Sequence, residues 1–322
     1  MRWNERVSDR VPRRLRTWPF PMVRSTLRCR RGSLLIAAAF ATNPASAESI
    51  FAPAGPVGAS ERLILLDSLA IMLAIVIPTI LAILGFAWWF RASNTRAIHM
   101  PDWHYSGRLE LVVWSIPTLV VLFLGGLIWD SSHDLDPAQP IASSRPPLQI
   151  QVVALDWKWL FIYPQQGIAS VNALVVPAGT PLHLAITSAS VFNVFFVPRL
   201  GSEIYAMNGM VTQLNLQADQ PGSYLGLSAQ FSGDGFPGMT FSLISMPTNQ
   251  FNQWVAKARG TGPELNDAGY NALLRQSQNM RPYTYRTVGT GLFDRISRLQ
   301  FSPGEGPPQG GSNGNVRPFG GK

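Results

Sequence analysis

Few side chains in this sequence can do chemistry. The only cysteine is Cys29, and the histidines are His99, His104, His133 and His183. A disulfide, a thiolate nucleophile or a thiolate metal site needs cysteine in the working part of the chain, and Cys29 lies in an arginine-rich leader. His99 and His104 fall between two membrane-length apolar runs, while His183 sits on the polar face of a strand pattern, so these imidazoles do not converge on one metal. Met207 and Met210 offer two thioethers to copper(I), although thioethers in a loop serve equally as apolar filler. Asp234, in SGDGFPG, reads as a turn residue. No nucleophile stands beside a base, no carboxylates pair, and no Gly-rich phosphate loop occurs. One carboxylate stands out: Glu110 opens an apolar run in GRLELVVWSIP. An ionisable group at membrane depth often marks a proton route; the plainer alternative pairs Glu110 with Arg108 at the interface.

The elements that must position these groups begin with a leader. Of the formal charge of +8, all belongs to residues 1–31, where ten arginines face Glu5 and Asp9. The other 16 basic and 16 acidic residues cancel, which removes the charge argument for a nucleic-acid partner. An arginine-rich start, the apolar run Leu34 to Ala41 and Ala45-Ser46-Ala47 make residues 1–47 a signal peptide, with Glu48 as the first exported residue. Met22 is an alternative start.

After an outer segment, 48–67, residues 68–90 and 111–129 are apolar enough and long enough to cross about 30 Å of hydrocarbon as helices. Pro78 and Pro117 lie inside them, which is tolerated where neighbouring helices satisfy the freed carbonyls. The loop 91–110 carries Arg91, Arg96 and Arg108, placing it in the cytoplasm and both flanks outside. Trp88, Trp89 and Trp103 near one boundary, and Trp129 near the other, suit interfacial belts.

Beyond a linker, 130–147, the block 148–246 alternates apolar and polar residues in short runs: Leu148, Ile150, Val152 and Ala154; Leu182, Leu184 and Ile186; Leu214 and Leu216; Met239, Phe241 and Leu243. With Gly, Pro, Asn and Ser between them, these runs predict an antiparallel sandwich or barrel. Residues 247–300 predict helices over Asn249 to Arg259, Pro263 to about Gln276, and Leu292 to Leu299, and 301–322 is a Gly/Pro-rich disordered tail. The fold class is α+β: a two-helix transmembrane hairpin, an all-β outer domain and short C-terminal helices.

The strings LDWKWLFIYPQQGIASVN (155–172), SVFNVFFVPRLGSEIYAMNGM (190–210), SAQFSGDGFPGMTF (228–241) and NQWVAKAR (252–259) resemble subunit II of the cytochrome bo-type ubiquinol oxidases, in the haem-copper oxidase superfamily. The upstream strings ERLILLDSLAIMLAIVIP, GFAWWFRASN and ELVVWSIP extend the resemblance to about residues 55–300. It implies a cupredoxin-like outer domain beside a large subunit I that holds the haems and a copper.

Cytochrome c oxidases of this superfamily carry a dinuclear copper centre built from two cysteines, two histidines and a methionine, in which soft thiolates bridge the metals. On the resemblance, those positions are Asn193 and Met239 for the histidines, Phe231 and Gly235 for the cysteines, and Ser242 for the methionine. The expected outer domain is therefore metal-free, with no cofactor in this chain. Trp157 and Trp159 fall where related oxidases have an aromatic patch for electron entry; without copper behind them, packing or subunit contact is expected. The resemblance also implies that Glu110 matches a glutamate at a cytoplasmic proton entrance, that subunits I, III and IV and membrane lipid are the partners, and that ubiquinol binds subunit I. No lipid-modified cysteine follows the signal. The alternatives are a cytochrome c oxidase subunit II and a stand-alone membrane-anchored binding or sensor module.

Overall fold

The computed structural model describes residues 50–98, 100, 102–304 and 306. The expected signal peptide, its cleavage site, Cys29, His99 and the tail from 307 lie outside the described residues.

Two long helices come first. Helix α1, Pro56–Trp89, has 34 residues, about 51 Å at 1.5 Å per residue. Pro56 suits the first helical position, where a missing N–H costs nothing. Helix α2, Gly107–Asp134, has 28 residues and carries Glu110 in its first turn. Gly58 is the only buried residue of α1, and α2 has none. Helices that are apolar on all sides and open on all sides need lipid or partner helices around them, and both qualify in length and composition as membrane spans. Each exceeds the expected span. Helix α1 starts within the outer segment 48–67, because the stretch from Pro56 to Asp67 is rich in helix formers and its first turns pack on the outer domain. Likewise α2 takes the first residues of the 130–147 linker and the last of the 91–110 loop.

The outer domain is a sandwich of β1 (Leu148–Leu155), β2 (Lys158–Tyr163), β3 (Ile168–Val171), β4 (Ala173–Pro177), β5 (Pro181–Ser188), β6 (Asn193–Phe196), β7 (Ile204–Ala206), β8 (Thr212–Gln217), β9 (Gly222–Ser228) and β10 (Thr240–Met246). The C-terminal part adds α3 (Thr248–Gly260), β11 (Glu264–Leu265), α4 (Asp267–Leu274), β12 (Tyr283–Tyr285), β13 (Thr287–Val288) and α5 (Leu292–Ser297). One sheet runs β12-β3-β2-β1-β5-β8 and the other β4-β10-β9-β6-β7. The antiparallel expectation is corrected: β1 pairs with β5, and β4 with β10, in parallel.

The first sheet is covered on both faces, which explains where alternation fails. Ile150, Val152, Phe161 and Leu184 face the other sheet. Val153, Leu155, Leu160, Ile162 and Val171 instead pack under Tyr270, Leu273, Leu292, Phe293 and Ile296 of the C-terminal part. A strand buried on both faces reads as a continuous apolar run, so β2 and β3 gave no alternating signal.

The chain past 246 also contributes to the sandwich, since β12 extends the first sheet beside β3. The helix expected from Pro263 to Gln276 is corrected as well. Glu264–Leu265 pairs with Thr287–Val288, and α4 starts only after Asn266, whose Oδ1 accepts the Gly269 N–H at 2.9 Å as an N-cap. Nor are the described residues of the expected tail, 301–304 and 306, free of the sandwich. The Phe301 ring meets Tyr270 at 4.7 Å, Gly304 N–H donates to Ala189 O at 2.9 Å, and Gly306 N–H donates to Asp156 Oδ2 at 3.0 Å.

The helices join the sandwich through backbone contacts. Ala54 N–H donates to Arg199 O (2.7 Å), Gly58 N–H to Leu200 O (3.0 Å) and Asp219 N–H to Ala54 O (2.9 Å). After α2, Pro137 O accepts both the backbone and side-chain N–H of Asn215, at 2.9 and 3.1 Å. Gly55 must be glycine, because a β-carbon there would lie 2.0 Å from Gln217 O.

Candidate functional site

The positions singled out in the sequence gather where β6 begins and the β9–β10 loop returns. Asn193, at the start of β6, is buried; its Oδ1 accepts the Ser228 hydroxyl at 3.2 Å and its Nδ2 donates to Val191 O at 3.1 Å. Met239 is buried, with its sulfur 3.9 Å from the Ser232 hydroxyl, and Ser228 N–H donates to Met239 O at 3.1 Å. Gly235 precedes the tight helical turn Phe236–Gly238. Phe231 points outward, 70% exposed, with its ring 5.7 Å from Phe236. Ser242 lies on the outer face of β10, opposite the inward Phe241 and Leu243, and its N–H donates to Asn172 O at 3.2 Å.

Trp157 fills the middle of this arrangement. Its indole N–H donates to Ser232 O at 3.0 Å, and its ring lies against Gly235 so closely that a β-carbon at 235 would be 2.2 Å from the ring. The ring is aimed by backbone: Trp157 has φ 63°, a left-handed conformation costing a non-glycine residue roughly 1–2 kcal/mol. Trp159 points into the sandwich, edge-on to Phe195 at 5.4 Å and Phe241 at 5.7 Å. At 5% and 0% exposure, Trp157 and Trp159 present no face to a neighbouring subunit. The subunit-contact expectation for them is corrected to packing, because this chain's own loop and core enclose both rings.

A thiolate-bridged copper pair does not fit these residues. Position 231 offers a phenyl ring turned to solvent, 235 has no room for a side chain, both polar atoms of Asn193 are bonded, and Ser242 faces away. Elsewhere among the described residues no cluster of three or more His, Cys, Asp or Glu side chains could hold a metal. His183 Nδ1 meets Asn215 Oδ1 at 3.0 Å, whereas His133 Nδ1 meets Trp129 O at 2.8 Å. Met207 engages Thr187 through its carbonyl, and Met210 is exposed. Asp234 sits exposed in the turn after Gly233, whose φ is 107°. Phe195 stacks on Phe241 at 5.1 Å, while Phe192 lies at the surface against Tyr205.

Glu110 is exposed in the first turn of α2, where a carboxylate complements the helix dipole. The ion pairs among the described residues are Arg286–Glu264 and Arg295–Asp267, so the alternative pairing of Glu110 with Arg108 is not formed.

The reading of the sequence missed Asp156 and Lys158, which are 4% and 1% exposed. Lys158 Nζ donates to Arg275 O at 2.6 Å and Ser277 Oγ at 2.7 Å, and Asp156 accepts from Ser190 and Gly306. The available signal was two opposite charges flanking Trp157 between apolar runs, since charged residues are rarely fully buried without partners.

Comparison with known proteins agrees with this geometry. Residues 149–245 match the family model of cytochrome c oxidase subunit II, periplasmic domain. Over 248 residues the chain is 46% identical to the cytochrome bo(3) ubiquinol oxidase subunit 2 of Pseudomonas aeruginosa, covering 77% of this chain and 75% of that protein. It is 47% identical over 246 residues to the ubiquinol oxidase subunit 2 of Acetobacter aceti, with 76% and 80% covered. It is 41% identical over 255 residues to the cytochrome bo(3) ubiquinol oxidase subunit 2 of Buchnera aphidicola, with 79% and 88% covered. Two membrane-length helices, a cupredoxin-like sandwich and relatives matched along three quarters of both chains lead to one conclusion: the chain belongs to the family of ubiquinol oxidase subunit 2.

Proposed function

We propose that this chain is the second, non-catalytic subunit of a proton-pumping ubiquinol oxidase in the inner membrane of a bacterium. Ubiquinol delivers electrons to subunit I, whose haems and copper reduce oxygen to water, while this chain holds no redox cofactor. Its work is assembly with subunit I, alongside subunits III and IV, and cover for the outer face of the complex. The observation that carries the reading is the closed end of the sandwich. Bonded amide atoms, an indole ring and a buried thioether occupy the place where a copper-bearing relative needs thiolates and imidazoles. Electrons from a soluble donor have no port there, which fits relatives named for ubiquinol.

Glu110 is the residue through which this chain takes part in proton uptake. Two things support this: Glu110 lies in the first turn of α2 without an ion pair to Arg108, and the arginine-bearing loop before it is of the kind that stays in the cytoplasm.

Oxygen uptake by membranes with and without this gene, driven separately by ubiquinol and by reduced cytochrome c, tests the function. The expected result is loss of the ubiquinol-driven rate alone. Loss of the cytochrome c rate alone would contradict the reading, and no change in either would return the chain to the stand-alone binding or sensor alternative.

A further inference from the structure

Asp156 and Trp157 form the two-residue turn between β1 and β2, and Lys158 opens β2. Each of the three holds a different, distant segment. Asp156 Oδ1 accepts the Ser190 hydroxyl and Oδ2 accepts the Gly306 N–H. Trp157 holds the β9–β10 loop through Ser232 O and by lying on Gly235. Lys158 holds the end of α4 through Arg275 O and Ser277, adding a cation where helix carbonyls are unpaired.

The segments are also joined to one another. The Gln276 side-chain N–H donates to Gly306 O, Gly304 N–H donates to Ala189 O at 2.9 Å, and the Asn172 side-chain N–H donates to Met280 O at 3.0 Å. Asn279 lies directly against the loop, its Oδ1 being 2.4 Å from where a β-carbon at Gly238 would stand. The loop is thus held between Trp157 on its inner side and the C-terminal part on the other.

We infer that the Asp156-Trp157-Lys158 turn is a clamp through which the C-terminal part of the chain fixes the β9–β10 loop, doing mechanically what ligand bonds would do in a metal-bearing domain. A loop rich in glycine pays a high entropy to be ordered, and SGDGFPG has three glycines in seven residues. The clamp is mutually obligatory. Asp156 and Lys158 are buried charges of opposite sign, and Gly306, Arg275 and Ser277 supply hydrogen bonds that burial would otherwise leave unmade. Taking away the segment that carries Gly306 leaves Asp156 Oδ2 without its partner and opens the turn that aims Trp157, while Lys158 keeps Arg275 and Ser277. The clamp concerns this chain alone and stands whether or not the oxidase reading holds.

Backbone hydrogen exchange of the full protein, purified from membranes with its partners, tests this. The reporters are the N–H groups of Phe236, Gly238 and Met239, bonded to Gly233, Gly235 and Phe236 carbonyls. In a chain ended after Phe301, and in Asp156→Ala, they are expected to exchange about tenfold faster or more, since local opening sets the rate. A chain ended after Gly306 should match the full chain. Unchanged exchange in both altered chains overturns the clamp. If neither accumulates, Asp156→Asn, which keeps the shape but not both acceptor oxygens, must still exchange faster than the unaltered chain; a rate equal to it overturns the clamp equally.

Discussion

Gly235 and Trp157 are one steric unit. The indole occupies the volume that any side chain at 235 would need, and its N–H is committed to Ser232 O. Gly235→Ala is expected to lower stability by about 1–3 kcal/mol through overpacking, read as a fall in the unfolding temperature of the detergent-solubilised protein. Adding Trp157→Leu to it should return part of that loss relative to the sum of the single changes, because the two side chains compete for one space; strict additivity would contradict the contact. Lys158 gives a second test. Burial lowers its pKa from the ordinary 10.5 to about 8, against the opposing pull of the Asp156 carboxylate. Between those two values the unfolded chain binds the proton that the folded chain has released, so the site's contribution to stability rises with pH across the window. The neutral amine still donates to Arg275 O and Ser277 Oγ. The unfolding temperature of the unaltered chain should therefore gain on that of Lys158→Met between about pH 8 and about pH 10.5. A flat or shrinking difference would count against the assignment.

Among the elements, α1 serves as both membrane span and shaft. Its first turns carry Gly58 N–H to Leu200 O, and Ser202 donates to Glu61 one turn on. A continuous helix from the lipid into these contacts transmits orientation, which a flexible tether would not. Gly55→Val would drive a side chain into Gln217 O. The expected outcome is loosening of this joint without loss of either unit: faster trypsin cleavage at Arg62 and Arg199, with the sandwich otherwise unchanged by circular dichroism. Protection equal to that of the unaltered chain would mean that the contacts through Arg199, Leu200 and Asp219 suffice. At the other end, the Arg295 and Arg286 pairs are exposed surface bridges, and contribute little beside the buried Tyr270, Leu273 and Phe293 cluster.

At the scale of the whole molecule, the helices expose apolar surface on every side while the sandwich buries its own. Apolar helices open on every side fit a membrane-spanning subunit of a larger complex. The proposed part in proton uptake rests on Glu110. Glu110→Gln keeps the shape and removes the proton-binding charge, so ubiquinol-driven oxygen uptake is expected to fall by roughly tenfold or more at an unchanged amount of assembled complex. Glu110→Asp should retain most of the rate. A full rate in Glu110→Gln would dismiss proton entry while leaving the ubiquinol oxidase function intact.

Much of this was legible in residue order alone. Long uncharged runs specify membrane helices because lipid offers the backbone no hydrogen bonds, and the absence of cysteine after position 29 limits metal chemistry in any fold. Half-buried strands such as Leu182 to Ile186 declared themselves by alternation. Only the tertiary structure decided the rest. Strands β2 and β3 are sealed on their second face by residues more than 90 positions later in the chain, so their period vanished from the sequence. The parallel pairings, the strand at Tyr283–Tyr285 and the joining of Asp156 to Gly306 follow from where distant segments meet. Trp157 shows why: its type announced an aromatic, but whether it faced a partner or closed the chain's own loop depended on a left-handed turn and on a glycine 78 residues away.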